Sequence, residues 1–252
     1  MIGFLTLVKR EVIRFLKDAL DTIVPPTVEV VLYMIIFGLA LGTRLGEIEG
    51  ATYIEFMVPG LVLMSVIRNS FLNPAYSLFQ SRWDGNIADV LASPLSATQI
   101  ALAIVLGGVA RGIVVGILVF GATLIFATYS MLSLFLALGY AIVVSIAFAA
   151  LGCIAGLWTK GWEGVGAVNS FVLNPLVLLG GVFYSLDMVR DIPVIEPLTQ
   201  INPFTYVTEG FRFALLGNFE LALFGFLLTI GLGIIFLLAT ITLFHIGYHL
   251  KV

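Results

Sequence analysis

Runs of about twenty apolar residues recur along this chain, and no other feature limits its possible folds so sharply. Wound at about 1.5 Å per residue, such a run matches a hydrocarbon core about 30 Å thick. The runs are continuous and do not alternate in ten-residue segments, so they specify helices and exclude barrel strands. Composition agrees: 60% of the 252 residues are hydrophobic and 11% charged, against roughly a quarter charged in a water-soluble globule. The expected fold is an all-α integral membrane protein with six transmembrane helices, near 24–43, 56–79, 101–128, 132–157, 166–184 and 220–246. Cys153 lies inside an apolar run and is the sole cysteine, so it is read as a buried bystander with no disulfide partner.

Three segments do not fit the spanning pattern. Residues 4–21 are amphipathic: Leu5, Val8, Val12, Phe15, Leu16 and Ala19 recur on one helical face, and Arg10, Arg14, Lys17 and Asp21 on the other. Such a helix lies along the headgroups, and Pro25-Pro26 is expected to break it before the chain turns to cross. Residues 80–99 are polar, with Arg82, Asp84, Asn86 and Asp89, two turn signals at Asp84-Gly85 and Ser93-Pro94, and a stretch at 86–91 fit for two helical turns. A small polar hairpin between two apolar spans offers another protein a grip. Residues 185–218 are too apolar for a solvated loop. Within them Asn202-Pro203 reads as N-cap and first helical position and Gly217 as the stop, enclosing a helix at 204–216 that dips into the outer leaflet and returns. Glu209 and Arg212 inside it form an ordinary i,i+3 pair.

Loop cations set the orientation. With the N-terminus inside, the cytoplasmic side holds Lys9, Arg10, Arg14, Lys17, Arg82, Lys160 and Lys251, and the outside holds Arg44, Arg190 and Arg212. Both termini and 80–99 are therefore expected in the cytoplasm. The short connector Tyr129-Ser130-Met131 makes spans three and four antiparallel neighbours. Gly108, Gly112 and Gly116 in span three, and Gly152 and Gly156 in span four, form small-residue ridges for close helix approach. The long third span would place Arg111 near the cytoplasmic interface, where it snorkels. Arg68 stands midway along span two, where an unpaired cation costs at least about 2.5–3.5 kcal/mol. Two placements satisfy it: carbonyls of its own helix with Asn69 or Asn73, or a pathway for an anionic or polar substrate. Glu29 is read as structural, close enough to the start of span one to reach water.

Catalytic chemistry is missing. There is no G-x-x-x-x-G-K-[ST], H-E-x-x-H or G-x-S-x-G. His245 and His249, spaced i,i+4, read as a cationic interfacial terminus and not as metal ligands. With no acid clearly placed at mid-membrane, uphill transport would draw its energy from another subunit. The rival reading is a self-powered carrier or channel, which would move its cargo with no ATPase partner.

Seven markers in order carry a family resemblance over nearly the full length: the amphipathic segment ending in Val24-Pro25-Pro26, Val58-Pro59-Gly60 opening span two, and the 86–94 segment NIADVLASP. Asn174-Pro175, the 180–185 segment GGVFYS, Asn202-Pro203 and Phe211-Arg212 follow. The chain resembles the permease subunit of ABC-2 type transporters, most closely the small permeases of polysaccharide, lipo-oligosaccharide and drug exporters. Arg68 is not part of that pattern. The resemblance implies a single transmembrane domain, 1–252, that forms a homodimer in a bacterial cytoplasmic (inner) membrane and binds two copies of a cytoplasmic ABC ATPase. The partner would carry ATP and Mg; this chain would hold no cofactor and no metal, contact membrane lipid and bind no nucleic acid. A coupling helix maps onto Asn86, Ile87, Asp89, Val90 and Leu91, and an interface helix onto 4–21 with Lys9, Arg10, Arg14 and Lys17. Spans two and five would form the path for an amphipathic, lipid-linked, glycan or drug-like substrate, with Arg68, Asn69, Asn73 and Asn174 along it and 185–218 as its outer gate.

Overall fold

A computed structural model describes residues 2–48, 50–159, 161–190, 192–217 and 222–250. Lys160 and Lys251 of the cation tally, Asn218 at the end of the expected hairpin and the first residues of the sixth span lie outside that set.

The first helix, α1 (Ile2–Lys17), ends at Asp18, and α2 (Ala19–Tyr33) follows at once with Pro25 and Pro26 inside it. The expected break at the proline pair therefore falls seven residues earlier. Asp18 leaves the helical region (φ −104, ψ 35), and the turn there is tied by the Thr22 hydroxyl donating to the Asp18 carbonyl at 2.8 Å. Prolines inside a spanning helix are tolerated where hydroxyls and local adjustment satisfy the freed carbonyls. The helix continues through a π turn at Met34–Leu39 into α3 (Ala40–Leu45). A two-stranded hairpin follows, β1 (Glu47–Ile48) and β2 (Ala51–Thr52), antiparallel with Glu47 opposite Thr52.

The central element is α4 (Tyr53–Trp83). It starts in a capping box: the Thr52 hydroxyl accepts from the Glu55 amide, and the Glu55 carboxylate accepts from the Thr52 amide at 3.0 Å. Val58-Pro59-Gly60 thus lies inside the helix and does not open it. Next come α5 (Ile87–Ala92), α6 (Ala97–Thr123) and α7 (Met131–Trp158). A Ser96–Gln99 capping box starts α6, and the Ser130 hydroxyl caps α7, so the 129–131 connector does join antiparallel neighbours. The glycine ridges clasp α4 from two sides. A Cβ on Gly112 of α6 would fall on the Ser70 hydroxyl, and one on Gly152 of α7 on the Phe71 carbonyl.

The next run is broken in character: α8 (Trp162–Ala167), a π turn at Val168–Leu173 and α9 (Asn174–Leu179). Pro175 has no N–H for the Phe171 carbonyl and crowds it, so the helix widens just ahead of the proline. The expected span 166–184 stops at Leu179 because Gly180-Gly181 turns the chain, with Gly181 at φ 77. A 3₁₀ turn (Asp187–Val189) leads to α10 (Ile195–Ile201), α11 (Pro203–Leu216) and α12 (Ala222–Ile246). The signals at 202–217 hold: the Asn202 side chain accepts from the Phe204 amide at 3.0 Å, and Gly217 closes α11 in the left-handed region at φ 93. Among the described residues five helices are long and apolar enough to cross a membrane: Ala19–Gly38, α4, α6, α7 and Leu223–Ile246. The fifth expected span is a shorter apolar helix, Glu163–Leu179.

The two ends of the bundle differ. One gathers α1, the 83–97 hairpin, the end of α7 and the residues after α12 up to Leu250, since Arg82 bonds carbonyls of Gly156, Leu157, Thr159 and His249. The other gathers the β hairpin, the α6–α7 link and the Gly180 turn: Tyr129 donates to the Glu55 carbonyl and Tyr53 to that of Phe183.

Candidate functional site

The expected coupling segment forms a helix one residue later than its sequence signal. Gly85, at φ 74, lets the chain leave α4, and Ser93 ends α5. Two apolar residues three apart, Ile87 and Val90, are 2% and 7% exposed and anchor α5 to the bundle. Ala88, Asp89, Leu91 and Ala92 point outward, and Asn86 is exposed at the N-cap. Of the five coupling residues, therefore, Asn86, Asp89 and Leu91 are presented outward, while Ile87 and Val90 hold the helix in place.

Behind α5 the hairpin is braced twice. Arg82 donates to three carbonyls at the end of α7, from Gly156, Leu157 and Thr159, at 2.8, 3.0 and 2.6 Å. A cation there satisfies orphan carbonyls and complements the negative end of the helix. His249 also faces the Leu157 carbonyl at 3.2 Å, and His245 shares a 3.0 Å hydrogen bond with Thr98. Both histidines are thus occupied in tying the C-terminal residues to this end. Among the described residues no group of three His, Cys, Asp or Glu side chains could hold a metal.

The second brace runs through α1 and corrects its reading as an evenly amphipathic helix. The bundle-facing stripe is Leu7, Glu11 and Phe15, whereas Leu5 and Leu16 stay 60% and 46% exposed. The helix has a protein-facing stripe with an acid in its middle and a separate apolar face left for lipid. Glu11 receives bonds from Arg10 at 2.9 Å, Arg14 at 3.2 Å and the Ser77 hydroxyl at 2.6 Å. Arg14 continues to the backbone and side-chain oxygens of Asn73 at 3.0 and 3.1 Å. Gly107 makes room, since a Cβ there would come within 2.5 Å of Glu11 Cβ. Of the four interface cations, Lys9, Arg10 and Lys17 are exposed and Arg14 turns inward. A polar cavity of about 490 Å³ opens between α1 and the end of α4, lined by Arg10, Arg14, Lys17, Gln80 and Asp84 among others.

The four pathway candidates are not brought together. Asn69 and Asn73 are 4% and 0% exposed and bonded within the bundle. Asn69 accepts from Arg111 at 3.2 Å, so Arg111 turns inward and does not snorkel. Asn174 is half-buried at the start of α9. Arg68 is not held by carbonyls of its own helix: its Nη1 donates to both carboxylate oxygens of Glu29 at 3.0 and 2.9 Å. Glu29 is therefore not beside the end of its helix but level with the middle of α4. At the other end, Arg212 is fully buried and not a loop cation. It donates to Glu209 at 2.6 Å, to the carbonyls of Gly181, Val182 and Phe56, and stacks 3.7 Å from the Phe56 ring. The i,i+3 pair is real, and its role is to fasten α11 to α4 and the Gly180 turn.

Two sequence signals point to what was missed. Ser65, Asn69, Asn73 and Ser77 recur every fourth residue, one buried polar column along α4. Glu11 sits four residues from both Leu7 and Phe15, on their face.

A central helix clasped by two glycine-bearing helices, in a bundle of five helices long and apolar enough to cross a membrane among the described residues, defines a polytopic helical membrane protein. Residues 3–216 match the ABC-2 type transporter family, and the chain belongs to it as a membrane-spanning permease. It is 38% identical over 231 residues to the inner membrane transport permease YadH of Escherichia coli (strain K12), covering 91% of this chain and 88% of that one. Nodulation protein J of Rhizobium meliloti (strain 1021) is 25% identical over 223 residues, 83% of this chain and 80% of its own. Nodulation protein J of Rhizobium leguminosarum bv. viciae is 23% identical over 231 residues, 86% and 83% respectively.

Proposed function

We propose that this chain is the permease subunit of an ATP-driven exporter in a bacterial inner membrane, working as a homodimer with two copies of a separate ABC ATPase. The observation that carries the reading is the mounting of α5: inner residues fixed in the bundle, outer residues Ala88, Asp89, Leu91 and Ala92 free, and the support behind them stiffened by Arg82 and Glu11. A short helix mounted so firmly passes a rigid-body push into α4 and α6. ATP and Mg belong to the ATPase, and the outward face of α5 is where it docks.

The α5 end is the cytoplasmic one. Exposed Lys9, Arg10 and Lys17 lie there, against exposed Arg44 and Arg190 at the opposite end once the buried Arg212 is removed from the tally. The segment 185–217 forms the outer gate, keyed to α4 by Arg212. The cargo is an amphipathic, lipid-linked, glycan or drug-like molecule, in keeping with relatives named for inner-membrane transport and nodulation.

The test is reconstitution with the partner ATPase of a variant carrying Asp89→Arg and Leu91→Asp. Insertion and monodispersity should be unchanged, and the complex should lose the coupling of hydrolysis to transport. Coupled hydrolysis at the wild-type rate in that variant would refute the assignment, as would cargo movement by the chain alone with no nucleotide consumed.

A further inference from the structure

Between Phe56 and Phe79, every residue of α4 is buried except Arg68, Leu72 and Tyr76. They are spaced by four and so form a single partly exposed strip on an otherwise enclosed helix. Arg68 has 15 residues of α4 on either side (68 − 53 and 83 − 68), roughly 22 Å in each direction, so it stands at the middle of the crossing. Its side chain is 27% exposed and that of Glu29 35%. A charged pair left facing hydrocarbon at that depth costs several kcal/mol, so the strip faces water or a polar ligand and not lipid tails.

The geometry of the pair leaves donors to spare. Nη1 serves both Glu29 oxygens, while Nη2 and Nε make no hydrogen bond among the described residues. Glu29 in turn accepts from the Tyr33 hydroxyl at 3.4 Å, which fixes the acid from its own helix. On the other flank, the α8 run meets the strip where Gly166 lies 3.9 Å, measured from a Cβ built on it, from the Tyr76 hydroxyl. Three residues further on, Asn169 Oδ1 is buried without a hydrogen-bond partner among the described residues. Two helices with π turns, the α2–α3 run at Arg68 and the α8–α9 run at Tyr76, thus flank a strip that carries a mid-membrane guanidinium with an unused edge. π turns are frequent at functional sites.

We infer that Arg68 is the binding residue for an anionic phosphate group on the transported molecule, with Glu29 as its resting counter-ion. Two free N–H groups of one guanidinium match two oxygens of a phosphate, the bidentate geometry that favours arginine over lysine. Glu29 keeps the cation satisfied when the site is empty and repels the anion when the pair reforms, so binding is reversible. This assignment rests on the strip being the path; it adds the charge class of the cargo, which the export reading leaves open.

The experiment uses the detergent-solubilised full chain without ATPase or nucleotide, titrated calorimetrically with dihexanoyl phosphatidic acid, dihexanoyl phosphatidylcholine or inorganic phosphate. Wild-type protein should prefer the phosphatidic acid over the net-neutral lipid. Arg68→Gln should weaken that binding at least tenfold, Arg68→Lys should recover part of it, and Glu29→Gln should bind as tightly as wild type or more so. A pair that is only structural predicts equal losses in both neutralised variants, and that result overturns the proposal. So does an Arg68→Gln titration within twofold of wild type, or no preference in the wild type. Arg68-dependent binding of inorganic phosphate as strong as that of the lipid supports the site and assigns it a water-soluble anion. If Arg68→Gln is not monodisperse, the Glu29→Gln titration decides alone: weaker binding overturns the site. None of these arms uses the partner, so their failure leaves the export reading standing, and failure of the α5 test leaves this site standing.

Discussion

Replacing Glu11 by alanine should release α1 from the bundle while leaving the bundle folded. The carboxylate is fully buried and accepts from Arg10, Arg14 and Ser77. Hydrogen bonds to a charged group contribute about 1.5–3 kcal/mol each, and breaking a fully buried pair costs about 3–5 kcal/mol. Arg10 and Arg14 keep 45% and 30% of their side chains exposed and can rehydrate, so the ionic share is reduced by solvent screening. The Ser77 hydroxyl, 3% exposed as a residue, loses its acceptor outright. The net loss is then about 2–3 kcal/mol, most of it in α1 docking. At about 1.36 kcal/mol per decade, amide exchange in α1 should quicken roughly 30- to 150-fold while the centre of α4 is unchanged. Hydrogen exchange followed by mass spectrometry reads both regions at once. A rise of less than threefold in α1 refutes the view that this buried acid holds the interface helix, as does an equal rise in α4.

Two further substitutions test the packing that positions the site. Gly112→Leu puts side-chain atoms where Ser70 already stands; overpacking costs about 1–3 kcal/mol or more, and the melting temperature should fall sharply. Gly121→Ala, with nothing within 4 Å of the added carbon, should melt as wild type does. Arg212→Met leaves the Glu209 carboxylate buried without its partner, a loss of about 3–5 kcal/mol. Adding Glu209→Gln should recover a good part of it in the same thermal melt, and no recovery would mean that the carbonyl and Phe56 contacts carry the fastening instead.

The elements that local chemistry writes down were legible. Asn202, Pro203 and Gly217 bracket α11 because a capping side chain, a proline at the first turn and a left-handed glycine act on their own few residues. Asp84-Gly85 and Ser93-Pro94 bracket α5 for the same reason. The proline pair at 25–26 misled, because a helix with neighbours and hydroxyls to satisfy its carbonyls runs through prolines. The break fell at Asp18, whose side chain makes no capping bond that could have announced it.

The candidate site divides in the same way. Asp89 and Leu91 follow from the position of a polar hairpin between apolar runs, yet the inward turn of Ile87 and Val90 depends on where the bundle lies. A charge in a membrane chain must find a partner, and sequence fixes that need at Arg68 without naming Glu29, 39 residues earlier and on another helix. Arg14, Arg82, Arg111 and Arg212 show the same limit, each satisfied by a group distant along the chain or by carbonyls exposed where a helix ends.

By itself the sequence determined that the chain is helical, that it crosses a membrane several times and that its water-facing elements lie between the runs. These follow from solvation and hydrogen bonding along one stretch of backbone. Only the tertiary structure decided that α4 is the centre, which acid meets which arginine, and that a single strip of Arg68, Leu72 and Tyr76 stays partly exposed. Those outcomes depend on which helix faces which, and helix packing is settled by glycine ridges and side chains from several elements acting at once.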